Sequence, residues 1–244
     1  MSAILEICVD DAAGVDAAVA GGADRIELCS ALELGGLTPS VGLLEHALRA
    51  GRPVHMMVRP RAGGFVYGDS DVAVMVEEIV RAIARGAAGV VVGALRPEGG
   101  LDREALARFR DAARDATIVL HRAIDLVPDP VAAVREAAAL GYDKILSSGG
   151  APTAIDGMAT LAAMVVAAGE RLSIIAGSGV TPDNVTRIIA GTGVREVHGS
   201  ASRPGPQPDA ATLRLGFATG PRRVTDRAIV GRLHAAIRQK GSDE

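Results

Sequence analysis

The sequence predicts an α/β barrel of eight strand–helix units, a (β/α)8 TIM barrel, and three observations predict it. Short β-branched runs alternate with longer alanine-rich stretches of helical spacing, which is the pattern of βα units on a parallel sheet. About eight such units follow one another without a compositional break. Closure needs no edge strands and no charged edge is evident, so a closed barrel is favoured over an open doubly wound sheet. A chain of 244 residues, 48% of them hydrophobic, has the size and core of one barrel domain spanning 1–244.

Strands are expected at 4–9, 25–29, 54–58, 89–93, 117–121, 144–147, 173–176 and 196–198. Helix starts are marked by Thr38-Pro39 ahead of 40–50, by Asp69-Ser70-Asp71 ahead of 72–85 and by Thr181-Pro182 ahead of 183–190. Glycines at Gly21-Gly22, Gly51, Gly86, Gly141 and Gly191 end the helical stretches and turn the chain toward the next strand. Two stretches depart from the repeat, 61–70 and 199–225. The second is too long for a connector and is expected to be a lid over the strand-8 end or an arm between subunits. Helical spacing returns over 226–240 and closes the barrel.

A formal net charge of -3 and 2% aromatic residues provide neither the basic footprint nor the stacking platforms of nucleic-acid binding. Acidic residues arrive at once after Met1, and no apolar run approaches the roughly 20 residues that span a bilayer. The reading is a cytoplasmic protein without a membrane or nucleic-acid partner, whose two cysteines are free thiols. A homodimer or another homo-oligomer is expected.

The chemistry-bearing residues collect at strand ends. Glu6-Ile7-Cys8 and Glu27-Leu28-Cys29 repeat one pattern on the first two strands, and residues two apart in a strand share a face. Side by side, the strands would set two soft sulfurs near the upper rim with two carboxylates a layer below; as plain core residues, the thiols would act only as small hydrophobes. His55, His121 and His198 lie at or near the ends of three strands, and a histidine at the carboxyl end of a barrel strand reads as catalytic or ligating. Arg59, Arg61 and Arg122 follow strands 3 and 5, with Asp125 close by, and could clamp an anion or neutralise the glutamates. The turns Ser147-Ser148-Gly149-Gly150 and Gly177-Ser178-Gly179 open onto helices and could present backbone N–H groups to phosphate or carboxylate, or merely turn the chain. His46 and His234 fall in helical stretches and are expected at the surface.

Long strings carry a family likeness: Leu5-Glu6-Ile7-Cys8-Val9-Asp10, Gly21 to Ser30, Gly35-Gly36-Leu37-Thr38-Pro39-Ser40, Pro53 to Arg61, His121-Arg122-Ala123, Ser147 to Gly150 and Gly193 to His198. With these the chain resembles the CutC proteins, historically linked to copper homeostasis. The resemblance implies a TIM barrel, a cytoplasmic location and a copper-binding role with cysteine and histidine ligands, for which Cys8, Cys29, His55, His121 and His198 stand at the matching positions. Copper held as Cu(I) by thiolates is one reading. The other is an isomerase, lyase or hydrolase for a small anionic or phosphorylated metabolite. In it His55, His121 or His198 act as acid or base with Glu6 or Glu27, and Arg59, Arg61, Arg122, Ser148, Gly149, Gly177 and Gly179 hold the anion.

Overall fold

The structure is a computed structural model that describes residues 3–238. Eight parallel strands close into a barrel: β1 (Ile4–Val9), β2 (Arg25–Leu28), β3 (Val54–Met57), β4 (Gly89–Val92), β5 (Thr117–Leu120), β6 (Lys144–Ser147), β7 (Ser173–Ala176) and β8 (Glu196–Gly199). β8 returns to pair with β1, so no edge is left open. The helices between them are α1 (Ala12–Gly21), α2 (Val41–Leu48), α3 (Asp69–Ala84), α4 (Arg103–Ala113), α5 (Pro130–Ala139), α6 (Met158–Ala168) and α7 (Val185–Thr192).

Local chemistry sets the helix starts. Ser40 caps α2 by accepting from the Leu43 N–H, and Asp11, Asp102 and Asp129 do the same for α1, α4 and α5. Helix α3 begins three residues before its expected start, because Asp69 and Asp71 sit in its first turn, where the helix dipole favours negative charge. Helix α7 begins two residues later than expected. Residues Thr181 to Asn184 form a turn in which the Asn184 side chain accepts from the Thr181 N–H at 2.9 Å.

Alternation of side chains divides the core. A large outer cluster, including Ile7, Ile26, Val90, Leu120 and Val197, packs the sheet against the helices. A smaller separate cluster of Cys29, Met57, Val91, Val119, Leu146 and Ile175 fills the barrel itself. Among the polar interior residues, Glu6, Arg25, Glu27, Glu196 and His198 gather where β8 meets β1 and β2.

The 199–225 segment has structure of its own. Strands β9 (Ser202–Pro204) and β10 (Arg223–Thr225) form an antiparallel hairpin, and a short helix, α8 (Ala210–Arg214), lies between them. Arg222 pins the hairpin to the end of β1 through Asp10 and Asp11, each at 2.8 Å. The last helix, α9 (Arg227–Arg238), packs on α1; the expected extension to Lys240 lies outside the described residues. Among the described residues no helix is long and apolar enough to cross a membrane.

Candidate functional site

The register at the seam decides which side chains meet. Glu6 lies opposite Arg25 on one side and His198 on the other, while Cys8 lies opposite Glu27. The expected pairing of thiol beside thiol and glutamate beside glutamate is therefore corrected. Parallel shear advances β2 by two residues, which puts a cation rather than a second carboxylate beside Glu6.

A chain of buried charges runs beneath the rim. Arg25 donates from Nε to Glu6 at 2.5 Å and from Nη2 to Glu196 at 2.5 Å, and Glu196 also accepts from Lys144. Burial alone would raise the Glu6 pKa, but Arg25, His198 and His55 together hold it well below the usual carboxylate range. Glu6 is thus a fixed anion. Its Oε1 lies 2.8 Å from His198 Nδ1, which must donate to it, so the His198 Nε2 edge is turned toward Glu27 at 3.8 Å.

At the rim the Cys8 sulfur, a Glu27 oxygen and a His198 nitrogen lie within 4.8 Å of one another, the only such group of three donors among the described residues. Cys29 is the neighbour of that group, its thiol donating to Glu27 Oε2 at 3.5 Å. The other Glu27 oxygen is buried without a partner. Burial raises the Glu27 pKa against the pull of His198, and burial with the adjacent Glu27 raises that of Cys29. Burial would lower the His198 pKa, but Cys8, Glu27 and Glu6 lift it well above 6.5.

The other expected residues are distributed differently. His55 lies 3.6 Å from Glu6 with Nδ1 unpaired, and burial lowers its pKa to about 4. His121 stands apart from the donor group, tilted against Phe65 at 4.8 Å between ring centroids. Arg59 is buried and staples loops, donating to the carbonyls of Leu34, Gly36 and Gly63. Arg61 is an exposed strut of the 61–70 loop, bonded to Asp71 and to the Val66 carbonyl.

The turn after β6 does receive an anion, and that anion is the chain's own Asp125. Its carboxylate accepts from the N–H groups of Ser148 and Gly150, from the hydroxyls of Ser147 and Ser148, and from Arg122. Gly149 is required there because a Cβ would fall 2.3 Å from the Gly157 carbonyl oxygen. After β7, Gly177 leaves room for Leu146 and the His198 ring, and Gly179 accepts from the Asn184 side chain through its carbonyl.

Comparison with known proteins places the chain in a family. The sequence model of the CutC family matches residues 3–203. The chain belongs to the CutC family. A family protein CutC from Sinorhizobium medicae (strain WSM419) is 46% identical over 234 residues, covering 96% of each chain. One from Caulobacter vibrioides (strain NA1000 / CB15N) is 45% identical over 237 residues, covering 96% of this chain and 97% of its own. A solved structure of CutC from Streptococcus agalactiae, described provisionally as a copper homeostasis protein, superposes with a TM-score of 0.77 at 32% identity, covering 81% of this chain and 98% of that one. The CutC match ends within the β9–β10 hairpin, so α8, β10 and α9 lie beyond it.

Several participants escaped the reading of the residues. Lys144 and Glu196 complete the buried charge chain, and their signal was a charge opening an otherwise apolar strand. Phe65 and Tyr67 frame Arg59, with nothing in the loop sequence to show that it folds inward.

Proposed function

We propose that this CutC-family chain serves copper homeostasis by binding Cu(I) at the seam of the barrel. Cys8 and His198 Nε2 are the primary ligands, with Cys29 or Glu27 completing the site. The observation that carries the reading is the convergence of the Cys8, Glu27 and His198 donors within 4.8 Å. Thiolate and imidazole suit Cu(I). His198 is also held by a carboxylate on its far nitrogen, as metal-ligating histidines usually are. The unpaired Glu27 oxygen beside the group is an acceptor in want of a cation or a proton. Reduced thiols suit a cytoplasmic location. A homodimer or other homo-oligomer remains part of the reading, and the exposed Leu215 and Phe217 of the 199–225 segment offer it apolar surface.

The test is Cu(I) affinity by competition against a chelator, on protein purified anaerobically without a metal-binding tag. Tight binding in the parent and its loss in Cys8→Ser/Cys29→Ser is the expected result. Weak binding that ignores the cysteines would overturn the assignment.

The Glu6–His198 pair favours a second reading, acid–base chemistry on a small anionic metabolite, because a carboxylate that orients an imidazole also prepares it to move a proton. Turnover of a phosphorylated or carboxylate metabolite that disappears in His198→Gln, with Cu(I) binding weak in the parent, would replace the first reading by this one.

A further inference from the structure

Five buried side-chain atoms among the described residues lack a hydrogen-bond partner, and three of them belong to one neighbourhood: Arg59 Nε, Tyr67 Oη and His121 Nε2. The other two, on Glu27 and His55, belong to the seam. Phe65 is the hub of the neighbourhood. Its ring lies 5.0 Å from Arg59 Cζ and 4.8 Å from the His121 ring, and the Tyr67 hydroxyl lies beside the Arg59 guanidinium. The residues come from the ends of β3 and β5 and from the loop that folds over them, at the carboxyl-end face where barrels bind ligands. Gly93 makes the place for His121, since a Cβ there would fall 2.4 Å from the ring.

The three unpaired atoms agree in sign. His121 Nδ1 accepts from the Ala123 N–H, so the ring proton is on Nε2 and that atom is a donor. Burial lowers the His121 pKa to about 3, so the ring is neutral and keeps this tautomer. Arg59 Nε can only donate, and the Tyr67 hydroxyl, whose oxygen leans toward the Arg59 guanidinium, still has its own proton to give. Arg59 is 5% exposed, yet its bonded partners are carbonyl oxygens, and among the described residues no carboxylate pairs with it. Asp125, the acid that the His121 ring feels, is already held by the turn after β6. A buried cation with neutral partners and three idle donors is incomplete without an acceptor of negative charge.

We infer that Arg59, Tyr67 and His121 form a binding site for an oxyanion group, carboxylate or phosphate, on a small molecule entering from the carboxyl-end face. Its residues are distinct from the proposed copper ligands. None of its three residues belongs to the Cys8, Glu27 and His198 group, so either assignment can fail without the other.

The experiment follows the Arg59 Nε–H and His121 Nε2–H resonances of the full 15N-labelled chain during separate titrations with inorganic phosphate and acetate. Arg59→Lys assigns the arginine signal. Saturable shifts of both resonances are expected with at least one anion, and the anion that binds more tightly identifies the group. Tyr67→Phe, which removes one hydroxyl and no packing, should weaken that binding about tenfold, and Cys8→Ser/Cys29→Ser should leave it unchanged. If neither anion moves the two resonances at millimolar concentration, or if Tyr67→Phe binds as the parent does, the inference is wrong and Arg59 is only a staple of loops.

Discussion

His121 and His198 are both buried near the carboxyl end of the barrel, and their surroundings drive them in opposite directions. His198 faces Glu6, Glu27 and Cys8, which raise its pKa, so a bound metal ion would have to displace the Nε2 proton; His121 faces Arg59 and an aromatic ring and is held neutral, with a pKa near 3. The depressed value of His121 has a consequence for stability. The unfolded chain binds its proton near pH 6.5 and the folded chain only near 3, so the unfolded state takes up more protons between those limits. The stability that neutral burial contributes is full above about pH 6.5 and is lost as the pH falls toward about 3, a change on the order of a few kcal/mol. His121→Gln should flatten that part of the urea-stability profile, and a profile as steep as the parent's would show that the ring does not titrate in this way. Glu6 acts on the same scale through His198. In Glu6→Gln the imidazole loses its fixed anion, and Cu(I) affinity is expected to fall about 10–100-fold, measured by the same chelator competition. Unchanged affinity would remove His198 from the ligand set.

At the scale of elements, two turns show what glycine does here. Gly149 has φ +74°, and a Cβ would meet the Gly157 carbonyl oxygen, whereas Gly51 has φ +72° and open space around it. Gly51→Ala should therefore cost only the left-handed penalty of about 1–2 kcal/mol. Gly149→Ala should cost clearly more and loosen the Asp125 carboxylate from its turn, which paired urea unfolding midpoints can compare. All eight strands were legible in the sequence to within one residue, because β-branched runs between glycine-ended helices leave little choice of register within each unit. The sequence pointed to thiols and histidines near the strand ends, but which histidine meets Cys8 follows only from the pairing of β8 with β1. What was not legible depends on relations between strands. The shear that sets Cys8 opposite Glu27, and the burial of Asp125 in the turn where a ligand was expected, are fixed by closure of the whole barrel. The β9–β10 hairpin had no readable signal because its strands are three residues each. Arg222 ties it to Asp10, two residues past Cys8. Arg222→Ala is exposed enough to cost under about 1 kcal/mol of stability, and it should speed alkylation of Cys8, followed by mass spectrometry. An unchanged rate would mean that the hairpin does not guard the thiol.

Over the whole molecule, the buried charges do at the seam what apolar layers do elsewhere in the barrel. Lys144 on β6, Glu196 on β8, Arg25 on β2, Glu6 on β1 and His198 on β8 form one connected chain across the place where the sheet closes. Such a chain carries a large desolvation cost that its internal pairing offsets, so its worth shows only when one member is removed. Glu196→Gln leaves Arg25 and Lys144 each short of a buried counter-charge, and a loss of roughly 3–5 kcal/mol is expected in urea unfolding. Glu77→Gln, which breaks the exposed Arg81 pair on α3, should change stability by under about 1 kcal/mol. The contrast separates two roles for the chain. If Glu196→Gln unfolds early and also weakens the ligand site, the network that closes the barrel is the one that orients His198. If stability falls while the site keeps its affinity, then Glu6 alone fixes the imidazole, and the remaining charges serve closure only.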